Sequence, residues 1–168
     1  RDAIEAPQIL RESSYEFLGE EDIGYARYTS PERFRQEMEG IWAKTWQWAC
    51  REEHIPQLGD YYVYEVGHYS VLVVRTEGGI KAYYNSCLHR GTKLRPEEGM
   101  GSAQELRCPY HGWTWTLDGS LESVPCAWDF PHVKPEAYSL PEVKVGLWGG
   151  FVFINLDENA PSLESYLE

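Results

Sequence analysis

The chain has 168 residues and a formal net charge of −12 at pH 7. That acidity argues against nucleic acid as a partner, because a polyanion is repelled rather than steered. No run approaches the roughly 18 apolar residues of a membrane span. Four cysteines are too few for a disulfide scaffold in a chain of this size, so a reducing compartment, the cytoplasm, is the default reading. No basic segment followed by an apolar one suggests a secretory signal. The chain opens on Arg1 rather than Met, so either the true start has been removed or the numbering begins inside a longer protein.

Residues 1–28 are acidic and lack a clear period, and they read as an N-terminal arm. Thr29-Ser30-Pro31-Glu32 is a helix start, with Thr29 as cap, Pro31 in the first turn and Glu32 closing a capping box. Phe34, Met38, Ile41, Trp42 and Thr45 then recur at helical spacing. They predict a helix over about 31–43, in a segment 29–46 that lays its apolar face on the domain. From 47 to 156 the chain reads as β. Seven Trp and twelve Tyr suit such packing. Strands are predicted at 61–66, 70–76 and 80–85, with Gly67-His68 and Glu77-Gly78-Gly79 as hairpin turns. Further strands fall at 106–108, 113–117 and 121–124, with Asp118-Gly119 as another turn. Residues 125–141 hold four prolines and read as a long loop. Closing strands follow at 144–148 and 150–156. Pro161-Ser162-Leu163-Glu164 has helix-start chemistry, so 157–168 reads as the start of a linker to a further domain.

The chemistry is concentrated in two short loops, Cys87-Leu88-His89 and Cys108-Pro109-Tyr110-His111, with 18 residues between His89 and Cys108. Each supplies one thiolate and one imidazole, which suits a [2Fe–2S] cluster held between facing loops. Charge arithmetic explains the ligand choice. Two ferric ions, two sulfides and four thiolates sum to about −2, whereas two thiolates and two neutral imidazoles sum to about 0. The less negative cluster accepts an electron more readily. Its potential rises from about −400 mV to a range of about −150 to +300 mV. Cys87 and Cys108 are expected on the iron that stays ferric, and His89 and His111 on the iron that takes the electron.

The backbone around Arg90, Gly91, Tyr110 and Trp113 is expected to aim N–H groups at the cluster sulfides, with Trp113 as a shield. Gly91 and Gly112 would permit close approach, and Pro109 would stiffen its loop. A structural zinc site is the competing reading, but zinc ribbons use CxxC or HxxxH spacings rather than CxH with CxxH. Cys50 and Cys126 read as small buried groups. His54, His68 and His132 read as surface or loop residues. Trp42, Trp46 and Trp48 read as core or contact, and Glu97-Glu98 as a solvated turn. Arg90 and Lys93 are either docking charges beside the cluster or ordinary surface charges.

Cys87-Leu88-His89-Arg90-Gly91 and Cys108-Pro109-Tyr110-His111-Gly112-Trp113 together resemble the Rieske domain of the large (alpha) subunit of aromatic-ring-hydroxylating oxygenases. The resemblance extends over about 30–168 and takes in Asn85, Ile55-Pro56, Gly59-Asp60 and Gly149-Gly150-Phe151-Val152-Phe153. It implies a mainly β fold, a small antiparallel β-sandwich with cluster-binding hairpin loops, preceded by a short α-helix. It carries the ligands over to Cys87, His89, Cys108 and His111 unchanged. Respiratory Rieske proteins add a paired cysteine to each loop. Here no such pair exists, which implies a potential at the low end of the range.

The family also implies a ferredoxin or a flavin/iron–sulfur reductase as electron donor, alpha-subunit neighbours in a trimer, and a mononuclear Fe(II) that activates O₂. Only His132 follows His111, so a two-histidine iron site cannot be built from these residues. The chain alone would not oxygenate a substrate. A free-standing Rieske ferredoxin is the alternative, though a carrier needs neither the leading helix nor the helix start after Asp157. Choline-type and aromatic-acid-type oxygenases share the pattern, so it specifies no substrate.

Overall fold

Val, Ile and Tyr dominate the longest of the segments that become strands. In the computed structural model, which describes residues 7, 8 and 21–168, these are β1 (Gln47–Arg51), β2 (Asp60–Val66), β3 (Tyr69–Thr76) and β4 (Gly79–Tyr84). They continue as β5 (Gly99–Ser102), β6 (Leu106–Arg107), β7 (Thr114–Trp115) and β8 (Leu121–Ser123). β9 (Glu142–Trp148) and β10 (Phe151–Asn155) close the series. The predicted turns join them. Val66 pairs with Tyr69 across Gly67-His68, and Thr76 pairs with Gly79 across Glu77-Gly78. Most of the predicted arm over 1–28 lies outside the described residues. The chain divides into two units, Arg1–Phe34 and Arg35–Glu168.

Every strand pair is antiparallel. One sheet runs β1-β10-β9-β4-β3-β2-β5, and a smaller one runs β6-β7-β8. The large sheet curls, so two cores form. Leu72 and Val74 join Tyr83, Leu106, Trp115 and Leu121 in the core that carries the cysteine loops. Val71 and Val73 join Cys50, Ala82, Val143, Val152 and Ile154 in the other. β3 is thus buried on both faces, which is why its sequence is a continuous apolar run rather than an alternation. This is the mainly β, sandwich-like architecture expected.

Three local readings change. First, β5 is absent from the sequence reading because Gly99-Met100-Gly101-Ser102 holds no β-branched residue. It is a strand through pairing with β2, and a Cβ at Gly101 would sit 2.3 Å from the Tyr61 ring. Second, the helix start shifts by one residue. α1 (Ala26–Thr29) is a single turn, and α2 (Pro31–Glu37) follows it. Ser30, not Thr29, accepts from the Arg33 amide, at 3.3 Å, while Thr29 donates back to the Tyr25 carbonyl. Third, the helix does not run on as α to residue 43. A π turn spans Met38–Trp42, around Gly40. Of the predicted apolar face in that turn only Met38 is buried, and Ile41 and Trp42 are exposed.

At the other end α3 (Leu163–Leu167) forms where the helix start was read, with Ser162 accepting from the Ser165 amide. Leu163 is buried, and Trp46 donates its indole N–H to the Pro161 carbonyl at 3.0 Å. No helix among the described residues is long and apolar enough to cross a membrane.

The cysteines separate sharply. Cys50 is buried, and that burial pushes its thiol up to about 12, with Arg75 acting weakly the other way. Cys126 is exposed, at φ +55, which corrects the expectation of a second buried thiol. The proline-rich stretch around it holds it at the surface. Iodoacetamide at pH 8 is therefore expected to modify Cys126 in the folded chain and leave Cys50 intact until unfolding. At that pH a thiol titrating at about 12 is only about 0.01% thiolate. Peptide mapping before and after denaturation reads the difference.

Candidate metal centre

The two cysteine loops share one backbone design. In the first, the Gly91 amide donates to the Cys87 carbonyl and the Cys87 amide to the Thr92 carbonyl, both at 2.8 Å. In the second, Gly112 donates to Cys108 at 3.1 Å and Cys108 to the Trp113 carbonyl at 2.8 Å. Both glycines take the same left-handed conformation, φ +72 and +73. Each loop is thus closed by a glycine four residues after its cysteine. His89 occupies the second position after Cys87, and His111 the third after Cys108. The unequal spacing CxH and CxxH fits two copies of one turn with the imidazole taken from different places.

This changes the role assigned to the glycines. A Cβ at Gly91 would meet nothing closer than 3.9 Å. The requirement is the positive φ, which an L side chain rarely adopts, and not close approach. Their amides are spent on the cysteine carbonyls. Other amides do reach sulfur: the backbone N–H groups of His89 and Arg90 donate to the Cys87 thiol.

The fold brings the four candidate ligands together. β4 leads to the first loop, and β6 and β7 flank the second. The Cys87 and Cys108 thiols are in hydrogen-bond contact and almost fully buried. Burial first, then the neighbouring Cys108, raises Cys87 above its usual range, against those two backbone amides. The His89 and His111 rings lie 4.7 Å apart between centroids. Burial, then His111 and Arg90, lowers His89 and favours the neutral imidazole that a metal takes. Its Nδ1 is buried with no hydrogen-bond partner among the described residues. Such an atom costs about 1–3 kcal/mol unless something satisfies it.

Aromatic rings pack on both histidines. Trp113 stacks on His89 at 5.1 Å with planes 6° apart. Phe130, which the sequence reading missed, sets its edge against His89 at 5.5 Å and against Trp113 at 5.4 Å. His111 has Tyr110 at 3.7 Å, and Tyr110 is itself 63% exposed.

A second missed residue is Arg95. Its guanidinium donates to the carbonyls of Leu94, Glu105 and Arg107 and lies over the Tyr61 ring. It therefore joins the exit of the first loop to the strand entering the second. Asn85, buried two residues before Cys87, holds Arg95 in turn. Asn85 Oδ1 accepts from the Arg95 amide at 3.0 Å, and its Nδ2 donates to the Arg95 carbonyl at 2.7 Å and to Ser70 at 3.0 Å. Nothing in the spacing of charged residues marks Arg95 as different from its neighbours.

Lys93 is paired with Glu65. Arg90 and Arg107 are exposed and form no ion pair among the described residues. Of the histidines set aside, His54 is half-buried against Tyr62, and His68 and His132 are exposed.

Among the described residues no three Cys, His, Asp or Glu side chains are arranged around a single metal ion. The donors instead form a thiol pair and an imidazole pair, a set that suits two irons better than one tetrahedral zinc. The model of the Rieske [2Fe–2S] domain matches residues 45–134. The chain belongs to the Rieske [2Fe–2S] domain family. This Rieske domain is 35% identical over 142 residues to the alpha subunit of biphenyl 2,3-dioxygenase from Rhodococcus jostii (strain RHA1), covering 83% of this chain and 31% of that protein. It is 39% identical over 142 residues to the carnitine monooxygenase oxygenase subunit of Acinetobacter pittii (strain PHEA-2), covering 83% and 38%. Among solved structures it superposes on naphthalene 1,2-dioxygenase from Rhodococcus sp. bound to indole with a TM-score of 0.77. That match has 37% identity and covers 84% of this chain and 33% of that one. The chain thus spans about a third of the length of the relatives it matches.

Proposed function

We propose that this chain is the electron-accepting part of a Rieske oxygenase alpha subunit, with its cluster held by Cys87, His89, Cys108 and His111. The observation that carries the reading is the convergence of two identically built loops on a buried thiol pair and an imidazole pair, one imidazole with an unpartnered Nδ1. The cluster, when bound, supplies a one-electron couple, fed by a ferredoxin or a flavin/iron–sulfur reductase and relayed to a mononuclear iron that activates O₂.

This chain's own residues then have separate tasks. Cys87 and Cys108 anchor one iron as thiolates in a dry site. His89 and His111 present neutral imidazoles to the other. The amides of His89 and Arg90 stabilise negative charge on the Cys87 sulfur. Arg90 and Arg107, which form no ion pair among the described residues, put positive charge at the cluster end of a chain whose net charge is −12, which favours docking by a carboxylate-rich donor surface. Residues 47–156 form the cluster-binding domain, and 157–168 begin the link to the catalytic part, which neighbours another alpha subunit in a trimer. The four free cysteines suit a reducing compartment, the cytoplasm.

The test is anaerobic reconstitution with iron and sulfide. The expected product is coloured, holds two irons and two labile sulfides per chain, and becomes paramagnetic on one-electron reduction. Its potential lies at the low end of the Rieske range, since Leu88, Arg90, Pro109 and Tyr110 supply no added cysteine pair. A colourless product that takes up zinc and no labile sulfide overturns the proposal.

A further inference from the structure

Phe130 reaches the centre from far along the chain. It ends the short 3-10 turn Ala127–Asp129, with its amide on the Ala127 carbonyl and its carbonyl accepting from Val133, both at 3.0 Å. The stretch 125–141 that carries it is pinned beyond that point. Trp115 donates its indole N–H to the Tyr138 carbonyl at 2.8 Å, and the Leu140 amide donates to Gly119 at 2.8 Å. The Phe130 edge closes on both members of the His89–Trp113 stack. The same ring lines a cavity of about 190 Å³, whose wall also includes the polar residues Glu122 and Ser123. A water needs only about 30 Å³ of liquid volume, so this cavity is roomy enough to hold several.

We propose that Phe130 is a positioning residue that limits water's access to the half-buried His89 ring. The inference rests on the Rieske reading. Its consequence follows from charge. With two thiolates and two neutral imidazoles the oxidised cluster sums to about 0, and the reduced one carries one more negative charge. Water beside His89 stabilises the charged, reduced state, so loss of the cover raises the potential. The hydrophobic cover thus holds the potential down through a residue that is not itself a ligand.

The experiment uses the reconstituted chain, the variants Phe130→Ala and Phe130→Leu, and Val133→Ala as a packing control. Spectroelectrochemical titration gives the potential. Hyperfine spectroscopy of the reduced protein in D₂O reports deuterons near the histidine nitrogens. Phe130→Ala is expected to shift the potential upward and add exchangeable deuterons. Phe130→Leu should return both toward wild type, because a branched side chain restores the cover. Val133→Ala should lower the melting temperature and leave both readouts alone. If Phe130→Ala does not fold, Phe130→Val carries the same expectation with a smaller shift. A loaded Phe130→Ala or Phe130→Val protein with wild-type potential and deuteron signal overturns the proposal, as does an equal shift in Val133→Ala. A wild-type chain that takes up no cluster overturns the Rieske reading, and this inference with it.

Discussion

Replacing Cys87 or Cys108 with serine is expected to abolish cluster uptake in this chain. Each thiol is almost fully buried in a loop closed by its own backbone. A serine alcohol is not deprotonated in such a dry site and offers iron a hard, neutral oxygen in place of a soft anion. Outer partners of a metal site are worth roughly 10–100-fold in affinity, and loss of an anionic ligand should exceed that. The visible bands should vanish, and iron and labile sulfide should fall to background by chemical assay. Stability should fall as well, because cluster binding and folding are coupled. Without the cluster the His89 Nδ1 stays buried with no hydrogen-bond partner among the described residues. A serine variant that keeps wild-type iron and sulfide would remove that cysteine from the proposed ligand set.

Asn85→Ala is expected to cost about 2–4 kcal/mol, since the side chain is buried and its loss strands both backbone groups of Arg95. In a chain of this size that lowers the Tm by roughly 5–15 °C. The effect should be larger than that of removing a surface ion pair such as Lys81–Glu142, worth about 0–1 kcal/mol. Asn85→Asp keeps an acceptor for the Arg95 amide and loses the two Nδ2 donors, so it should fall between Asn85→Ala and wild type. Because Arg95 bridges to the carbonyls of Glu105 and Arg107, the variants should also release iron faster to a chelator. Thermal unfolding and chelation kinetics measure the two effects. A Tm within two or three degrees of wild type for Asn85→Ala, about 1 kcal/mol at this size, would show that the network is not what ties the loops together.

The hairpins were legible because their determinants are local. Gly67-His68 and Glu77-Gly78 are turn chemistry flanked by Val, Ile and Tyr, Asp118-Gly119 is turn chemistry between Leu117 and Leu121, and each turn lies where it was read. The misreadings have physical causes too. β5 is a strand only because β2 offers it an edge. Ser30 caps in place of Thr29 because the Thr29 hydroxyl turns back to the preceding turn. Lys93, read as a possible docking charge, is paired with Glu65 on β2, a neighbour 28 residues away in sequence.

The residue types and their spacing were enough to name two cysteine–histidine loops and the cluster they suit, because ligand chemistry and turn closure act within about six residues. The tertiary structure alone decided how the loops are arranged. Packing of the small sheet against the large one over a shared core faces them, Arg95 spans them, and Phe130 packs against His89. Those contacts join segments tens of residues apart, and packing at such range follows from how the sheets close, which no local period records. The two half-motifs are therefore a local property of the chain. The aromatic packing of Trp113 and Phe130 on His89 is a property of the fold.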